Sequence, residues 1–323
     1  MTSGSLVLIV AFALGQLPPG LPEAEYMVET TVKVSSTGGG IIRASVPVLR
    51  EWPEQRIEAA TPQSTRCKIK VEHVQPGAAC LTLVSGPLRG GDVASVSYRQ
   101  QVFVKPQPRR RKADFPNLPA IDSKSKAFTA PTPTIDSADP AIRAKATELC
   151  QGIESPWEKA QVLSEWTYKH LEYKLMDYTS AKAAFENKIG DCEERASLFI
   201  ALCRSQGIPA RSVISPGKTR KEAGHAWAEI LLANAEGKGE WLPVDVGLRW
   251  FAELPVAPPI IQKGDNYSKL GSTGARQRLL GTWARGGSGS LTFEFTQEVT
   301  PVSANAVLDP TQLRKSTPAP PNK

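Results

Sequence analysis

The stretch IGDCEERASLFIALCRSQGI, residues 189–208, decides the fold. Ala196, Leu198, Phe199, Leu202 and Cys203 recur at helical spacing and give one apolar face, while Gly207-Ile208-Pro209 stops the helix. The polar lead-in Gly190-Asp191 sits directly before Cys192, so a buried helix begins at a cysteine. A thiol in the first turn of a helix faces unpaired backbone N–H groups and the positive end of the macrodipole, and both favour the thiolate. The same N–H groups, including that of Cys192, point at an oxyanion formed during acyl transfer.

Working downstream, the pattern changes from helical to strand-like. Residues 210–215, 225–232 and 241–246 alternate or run apolar, separated by a polar loop over 216–224 and a turn region over 234–239. A hairpin centred on Ala235 pairs residues whose numbers sum to about 470. His225 then faces Asp245, Trp227 lies near Pro243, and Glu229 near Trp241. A slip of one residue would put the partners on opposite faces.

A thiol nucleophile needs a proton acceptor that titrates near neutrality, and the chain has three histidines: His73, His170 and His225. His73 falls in a β-rich segment and His170 near a helix end. His225 opens a strand after a loop, and Asp245 can hold one ring nitrogen while the other faces the thiol. Cys192, His225 and Asp245 thus supply nucleophile, base and orienter. Each alone also has a plain structural reading, since a cysteine on an apolar helix is more often core than catalytic. An aspartate between Val244 and Val246, however, needs a partner, because burying an unpaired carboxylate is costly.

Upstream, Asp139-Pro140 and Ser155-Pro156-Trp157-Glu158 are two helix starts, the second a capping box, with Ile142, Ala146 and Leu149 and then Leu163, Trp166 and His170 at helical spacing. From about residue 26 to 104 short alternating runs rich in β-branched residues are separated by Gly38-Gly39-Gly40, Pro76-Gly77 and Gly90-Gly91, the pattern of a small β-sandwich. The expected organisation is a leader over 1–20, a β-sandwich domain over 24–105, a Pro-rich basic linker or wrapping segment over 106–133, a catalytic domain over 134–300 and a disordered tail over 301–323.

Composition narrows the function classes. The longest apolar stretch, Leu6 to Leu14, is about half of what a bilayer span needs and reads as a secretory signal, although residues 1–5 carry no Lys or Arg. That leader implies a secreted or periplasmic protein without stable membrane insertion once it is removed. The net charge of +7 is partly local, in Arg109, Arg110, Arg111 and Lys112 between prolines. No aromatic platform or recognition helix accompanies this run, so nucleic acid is not an expected partner. Five cysteines, Cys67, Cys80, Cys150, Cys192 and Cys203, leave one thiol over if the rest pair; Cys67–Cys80 and Cys150–Cys203 are conceivable pairs, and buried free thiols the alternative. No Cys-x-x-Cys or His-x-x-x-His spacing occurs, so neither a metal nor another cofactor is expected.

Four segments in order, Gly190-Asp191-Cys192-Glu193-Glu194, Arg204-Ser205-Gln206-Gly207-Ile208-Pro209-Ala210-Arg211, His225-Ala226-Trp227-Ala228-Glu229 and Trp241-Leu242-Pro243-Val244-Asp245, resemble the core of the transglutaminase-like superfamily. The likeness covers about residues 135–247 closely. The segment before it, with Val46-Pro47 and Gln55-Arg56-Ile57, resembles more loosely the N-terminal β-domain of bacterial members. The resemblance implies a papain-like α+β fold, with the nucleophile helix packed on an antiparallel sheet, and assigns Cys192, His225 and Asp245 their roles. It also implies an oxyanion donor upstream of the nucleophile, for which Tyr173 and Trp166 are the candidates. Trp227 and Trp241 are expected to wall the substrate site. The function implied is attack on peptide or protein amides through an acyl-enzyme, with water as acceptor in a peptidase or amidohydrolase. A primary amine acceptor, giving protein cross-links, and a non-catalytic binding or assembly role are the alternatives.

Overall fold

The computed structural model describes residues 22–123, 125–217, 224–256, 258–268 and 276–307. The expected leader and residues 218–223 of the loop after residue 215 lie outside them. The fold is mixed α+β with antiparallel sheets, as the sequence predicts.

Alternation of buried and less buried residues is clearest in β1 (Ala24–Ser36) and β7 (Val93–Val104); between them run β2 (Ile42–Val48), β3 (Gln55–Ala59), the exposed β4 (Gln63–Thr65), β5 (Cys67–Val74) and the largely buried β6 (Ala78–Ser85). The helices follow: α1 (Pro140–Leu149), α2 (Pro156–His170), the two-residue strand β8 (Glu172–Tyr173), α3 (Ala181–Asn187), β9 (Ile189–Gly190) and α4 (Cys192–Ser205). Asp139 and Ser155 cap α1 and α2 as expected, accepting hydrogen bonds from Ile142 N (3.2 Å) and Glu158 N (3.4 Å). The rest of the chain is strand and loop: β10 (Ala210–Ile214), β11 (Ala226–Ala233), β12 (Gly239–Asp245), β13 (Trp250–Phe251), β14 (Gln262–Lys263), β15 (Tyr267–Ser268), β16 (Arg276–Gln277), β17 (Trp283–Gly286) and β18 (Leu291–Pro301).

Helix α4 is buried from Glu194 to Arg204 because α1, α2 and α3 cover it on one side and the sheet β10–β12 on the other. The even-numbered side chains of that sheet, Ala210, Ala228, Ile230, Leu232, Leu242 and Val244, share its core. The odd-numbered face carries Val213 and Trp227 and packs against Ala24, Tyr26 and Val28 of β1 and Val102 and Val104 of β7. The same face of β1 continues as Val32 and Val34 into a second core with β2 and β6. One long sheet, ordered β18-β1-β7-β3 with β4 on β7, therefore backs both the sandwich and the sheet that packs on α4.

The second sheet is more continuous than a two-domain reading suggests. Its order is β13-β12-β11-β10-β14-β6-β2-β17, with β5 on β6. The splice is β14, whose Gln262 pairs with Ala78 of β6 while Lys263 N donates to Gly77 O at 2.7 Å. A Cβ on Gly77 would stand 2.4 Å from the Lys263 carbonyl oxygen, so the close approach requires glycine. The last strands return to the first ones: β17 pairs β2, and β18 runs antiparallel along β1 from Tyr26↔Pro301 to Ser36↔Leu291. Residues 301–307, expected in a disordered tail, hold on to β1 through Val302 N to Glu25 O (2.8 Å) and Val307 N to the Tyr26 hydroxyl (2.8 Å). The Pro-rich segment after β7 wraps the helical half, burying Phe115 against Trp157 at 6.2 Å between ring centres.

Among the described residues no helix is long and apolar enough to cross a membrane. All five cysteines are free thiols. Register excludes the Cys67–Cys80 pair, since Cys67 faces Ser85 and Cys80 faces Glu72. Five residues along a strand span about 17 Å, against Cα separations up to ~7 Å in a disulfide. Cys150 and Cys203 meet in one core cluster, where burial pushes the Cys203 thiol far up, Cys150 adding to the effect.

Candidate active site

The site is built where the start of α4 meets the loop ends of β11 and β12. Cys192 is the first residue of α4 and is partly exposed. Asp191 caps the helix, accepting from Glu193 N at 2.8 Å, and Glu194 reaches back to Asp191 N at 3.1 Å. This capping box holds the turn of Cys192 at both ends. Glu194 also accepts from Thr179 N at 2.8 Å, and a Cβ on Gly190 would lie 2.4 Å from the Glu194 Cβ. The glycine in the motif is there to let Glu194 fold over it.

His225 immediately precedes β11 and is fastened to Ser215, donating its N–H to the Ser215 hydroxyl at 2.7 Å while its carbonyl accepts from Ser215 N at 2.9 Å. Its Nε2 lies 2.5 Å from Asp245 Oδ2, and both side chains are buried. The second Asp245 oxygen accepts from Leu248 N at 2.9 Å. With Nε2 held by the carboxylate, Nδ1 is left to face the Cys192 thiol, whose interaction with the ring favours its charged form. Burial alone disfavours the charged ring, but the charge and hydrogen bond of Asp245, with the Cys192 contact, raise His225 to about 10. The imidazolium is therefore the resting form at neutral pH.

The structure thus brings Cys192, His225 and Asp245 together. The hairpin register is sum 472, with Ala228 opposite Val244 and Leu231 opposite Trp241, two residues from the expected 470. A shift of two keeps every side chain on its face, so the His225–Asp245 meeting survives as a diagonal contact.

The other expected residues are distributed unevenly. Trp227 is wholly buried and stacks under His225, ring centres 5.9 Å apart at 23°, so it floors the histidine rather than walling a cleft. Trp241 does not wall the site. It sits four residues along β12 from Asp245, about 13 Å at ~3.3 Å per residue, where it covers the Arg211 guanidinium at 3.9 Å and meets Phe128 edge-on at 5.3 Å. Tyr173 lies at the lead-in to Cys192, since β8 runs parallel to β9 with Tyr173 beside Gly190. Trp166 is engaged in a stack with His170 at 4.2 Å and with Phe185 at 6.0 Å.

Several residues at the site carry no sequence signal. Arg278, from far down the chain, stacks on Tyr178 at 3.7 Å and pairs with Glu193 at 2.8 Å, next to Cys192. Burial pushes the Glu193 carboxyl up against the pull of Arg278. Arg195 donates to Leu171 O at 3.0 Å with its guanidinium 5.1 Å from the Tyr168 ring and 5.2 Å from the Tyr173 ring. Only the motif Gly190–Glu194 hinted that residues after the cysteine matter. Among the described residues no cluster of three or more His, Cys, Asp or Glu is arranged to hold a metal.

Residues 143–246 match the model of the transglutaminase-like superfamily. The chain carries a transglutaminase-like domain. The match runs from α1 through β12 and so contains Cys192, His225 and Asp245. No curated protein matches the chain. Among solved structures, one from Cytophaga hutchinsonii described as a "putative cysteine protease" is similar over 87% of this chain and 91% of its own, with 18% identity and a TM-score of 0.57. A "putative protease" from Parabacteroides distasonis aligns over 72% of this chain and 48% of its own, with 12% identity and a TM-score of 0.28. The first likeness extends the fold of the transglutaminase-like domain to the flanking strands.

Proposed function

We propose that this transglutaminase-like domain is a thiol enzyme that cleaves amide bonds of peptides or proteins, with Cys192 as nucleophile, His225 as acid and then base, and Asp245 as orienter. The observation that carries the reading is the 2.5 Å contact of His225 Nε2 with Asp245, with the ring's other side given to a thiol at the capped start of α4. The Cys192 sulfur, its proton already resting on His225, adds to the carbonyl carbon, and the oxyanion is met by the Cys192 N–H, with the Tyr173 phenol as the side-chain donor. His225 gives its proton to the leaving nitrogen as the C–N bond breaks, leaving a thioester. Water then adds to the thioester carbonyl, His225 takes its proton, and the C–S bond breaks, releasing the acid and restoring the pair of Cys192 sulfur and protonated His225. The leader over 1–20 directs this chemistry outside the cytoplasm.

Iodoacetamide labelling read by mass spectrometry across pH tests the pair. Fast labelling at Cys192 near pH 6, lost in His225→Ala, is expected; labelling no faster than an ordinary free thiol sinks the reading. A glutamine-containing peptide incubated with a fluorescent amine then separates hydrolysis from transfer by product mass. Hydrolysis is the expected product.

A further inference from the structure

One turn of α4 beyond Cys192, Arg195 carries its guanidinium into the interior, and the residue is only 6% exposed. Burying a cation is costly unless specific partners take up its charge and its N–H groups. Here the partners belong to the segment that leads from α2 to Tyr173. Nη2 donates to Leu171 O at 3.0 Å, and the guanidinium stands over two rings, 5.1 Å from the centre of Tyr168 and 5.2 Å from that of Tyr173.

Tyr173 needs such a hold. It belongs to the two-residue strand β8 and is 46% exposed. Its backbone is placed by the pairing with Gly190 and by Lys174 N, which donates to Gly190 O at 3.1 Å. Those contacts fix the strand and leave the half-exposed ring to be set by what lies against it. A donor serves a developing oxyanion only if it is aimed beforehand, so that nothing reorganises as the charge appears. Arg195 fixes Tyr173 in two ways, through the carbonyl of Leu171 two residues before it and through the ring itself. A cation beside the ring also favours negative charge gathering at the phenol's hydrogen bond.

We infer that Arg195 is a positioning residue that acts through Tyr173, holding its phenol ready for the oxyanion formed when Cys192 attacks, a role that presupposes the thiol enzyme proposed above. Arg195 also borders the turn after Asp245, since a Cβ on Gly247 would lie 4.0 Å from Arg195 Nη1 and 3.3 Å from Asp245 Oδ1. An effect through Asp245 would reach His225 and change the reactivity of the thiol toward every electrophile. An effect through Tyr173 is felt only where an oxyanion forms. The choice of reagent separates the two.

With 4-nitrophenyl acetate the Cys192 sulfur–carbon bond forms through a tetrahedral oxyanion and 4-nitrophenolate leaves, so the burst of its release gives the acylation rate. Iodoacetamide alkylates the same sulfur by displacing iodide, with no oxyanion. Arg195→Met should slow the burst about tenfold or more, a part of what losing a whole oxyanion donor costs, and leave alkylation within about twofold of the unaltered protein. Tyr173→Phe should show the same split. Adding Arg195→Met to it should slow the burst by less than about threefold further, because residues that act through one another are not additive. Should the Met variant not fold, Tyr168→Leu removes the other ring that steadies Arg195 and should give the same split at about threefold. A burst that neither variant slows, equal slowing of burst and alkylation, or a full further loss in the Tyr173→Phe background overturns the role of Arg195 and leaves the thiol enzyme standing. Absence of both the burst and rapid alkylation in the unaltered protein overturns the thiol enzyme, and the role of Arg195 with it.

Discussion

His225 sits between opposed influences. Burial strips water from the ring and disfavours its charge, while Asp245 and Cys192 stabilise it, and the second group prevails to about 10. The folded value is raised above the ordinary 6.5. Its contribution to stability is therefore complete below that value and is lost as pH rises through about 10. Turnover should follow the same upper limb, falling as the ring loses the proton it gives to the leaving nitrogen. Asp245→Asn removes the main charge behind the shift, so the upper limb of the pH–rate profile should move to lower pH, with kcat down about 10²–10⁴-fold as expected for a mis-set general acid–base. A limb that stays near pH 10 in that variant contradicts the assignment. At this scale the sequence was most legible where residue chemistry is restrictive: three histidines to choose from and an aspartate among valines leave few alternatives. Arg278 and Ser215 were unreadable. Their roles depend on a fold that brings Arg278 to Glu193 and Ser215 to His225, and neither is marked by periodicity or spacing.

Helix α4 was the clearest element in the sequence because its apolar period, its polar lead-in and its glycine stop agree. Helix α3 escaped notice, being seven residues long with two buried alanines and no sustained period. The hairpin register was displaced because the turn is built on residues 234–238, closed by Asn234 N to Lys238 O at 3.1 Å with Gly237 at φ +78°, and so centres on Glu236 rather than Ala235. The lead-in makes a sharp prediction. Gly190→Ala forces a methyl against the Glu194 Cβ and should destabilise the protein by about 1–3 kcal/mol, the usual range for overpacking. Urea unfolding should show it, and slower Cys192 labelling should accompany it. Glu194→Ala in the same chain should not add its full separate cost, since the two sites share one contact. Glu194 is also raised, to about 7, chiefly by burial, against the backbone N–H groups that favour its charge. Its stabilising contribution is present below its ordinary value of 4.5 and is lost as pH rises through about 7. Glu194→Gln should remove that part of the stability difference between pH 4.5 and 8 in matched urea titrations; an unchanged difference would rule Glu194 out as its source.

At the scale of the whole molecule, the α+β class and the strands of the N-terminal half were readable, because alternation survives in any context. The joining of the two halves was not. Lys263, fully buried on β14, pairs with Glu54 from the N-terminal half and with Glu229 of β11 at 2.6 Å, and Glu229 also meets Arg211 at 2.6 Å. Burial pushes Glu229 up, yet Lys263 and Arg211 outweigh it and hold the carboxyl below its ordinary value. Lys263→Met should cost about 3–5 kcal/mol, the usual consequence of stranding one member of a buried ion pair. Denaturant unfolding followed by tryptophan fluorescence measures it, and a loss under 1 kcal/mol would mean the network is not what holds the halves together. A fragment starting at residue 134 should aggregate, since it uncovers Val213, Trp227, Leu254 and Ile260 together; a soluble, cooperatively unfolding fragment would contradict this.

The clasp of β18 along β1 bears on how the protein comes into being. The first strand leaves the ribosome some 260 residues before its partner, a delay on the order of 10–50 s at ~5–20 residues per second. Through that interval β1 has only β7 beside it, and its other edge is an open template for mispairing. The nascent chain cannot close its first sheet by itself, so the finished enzyme appears only after synthesis is nearly over. A chaperone that shields β1 during that wait would raise the yield of active protein more than one acting on the helices.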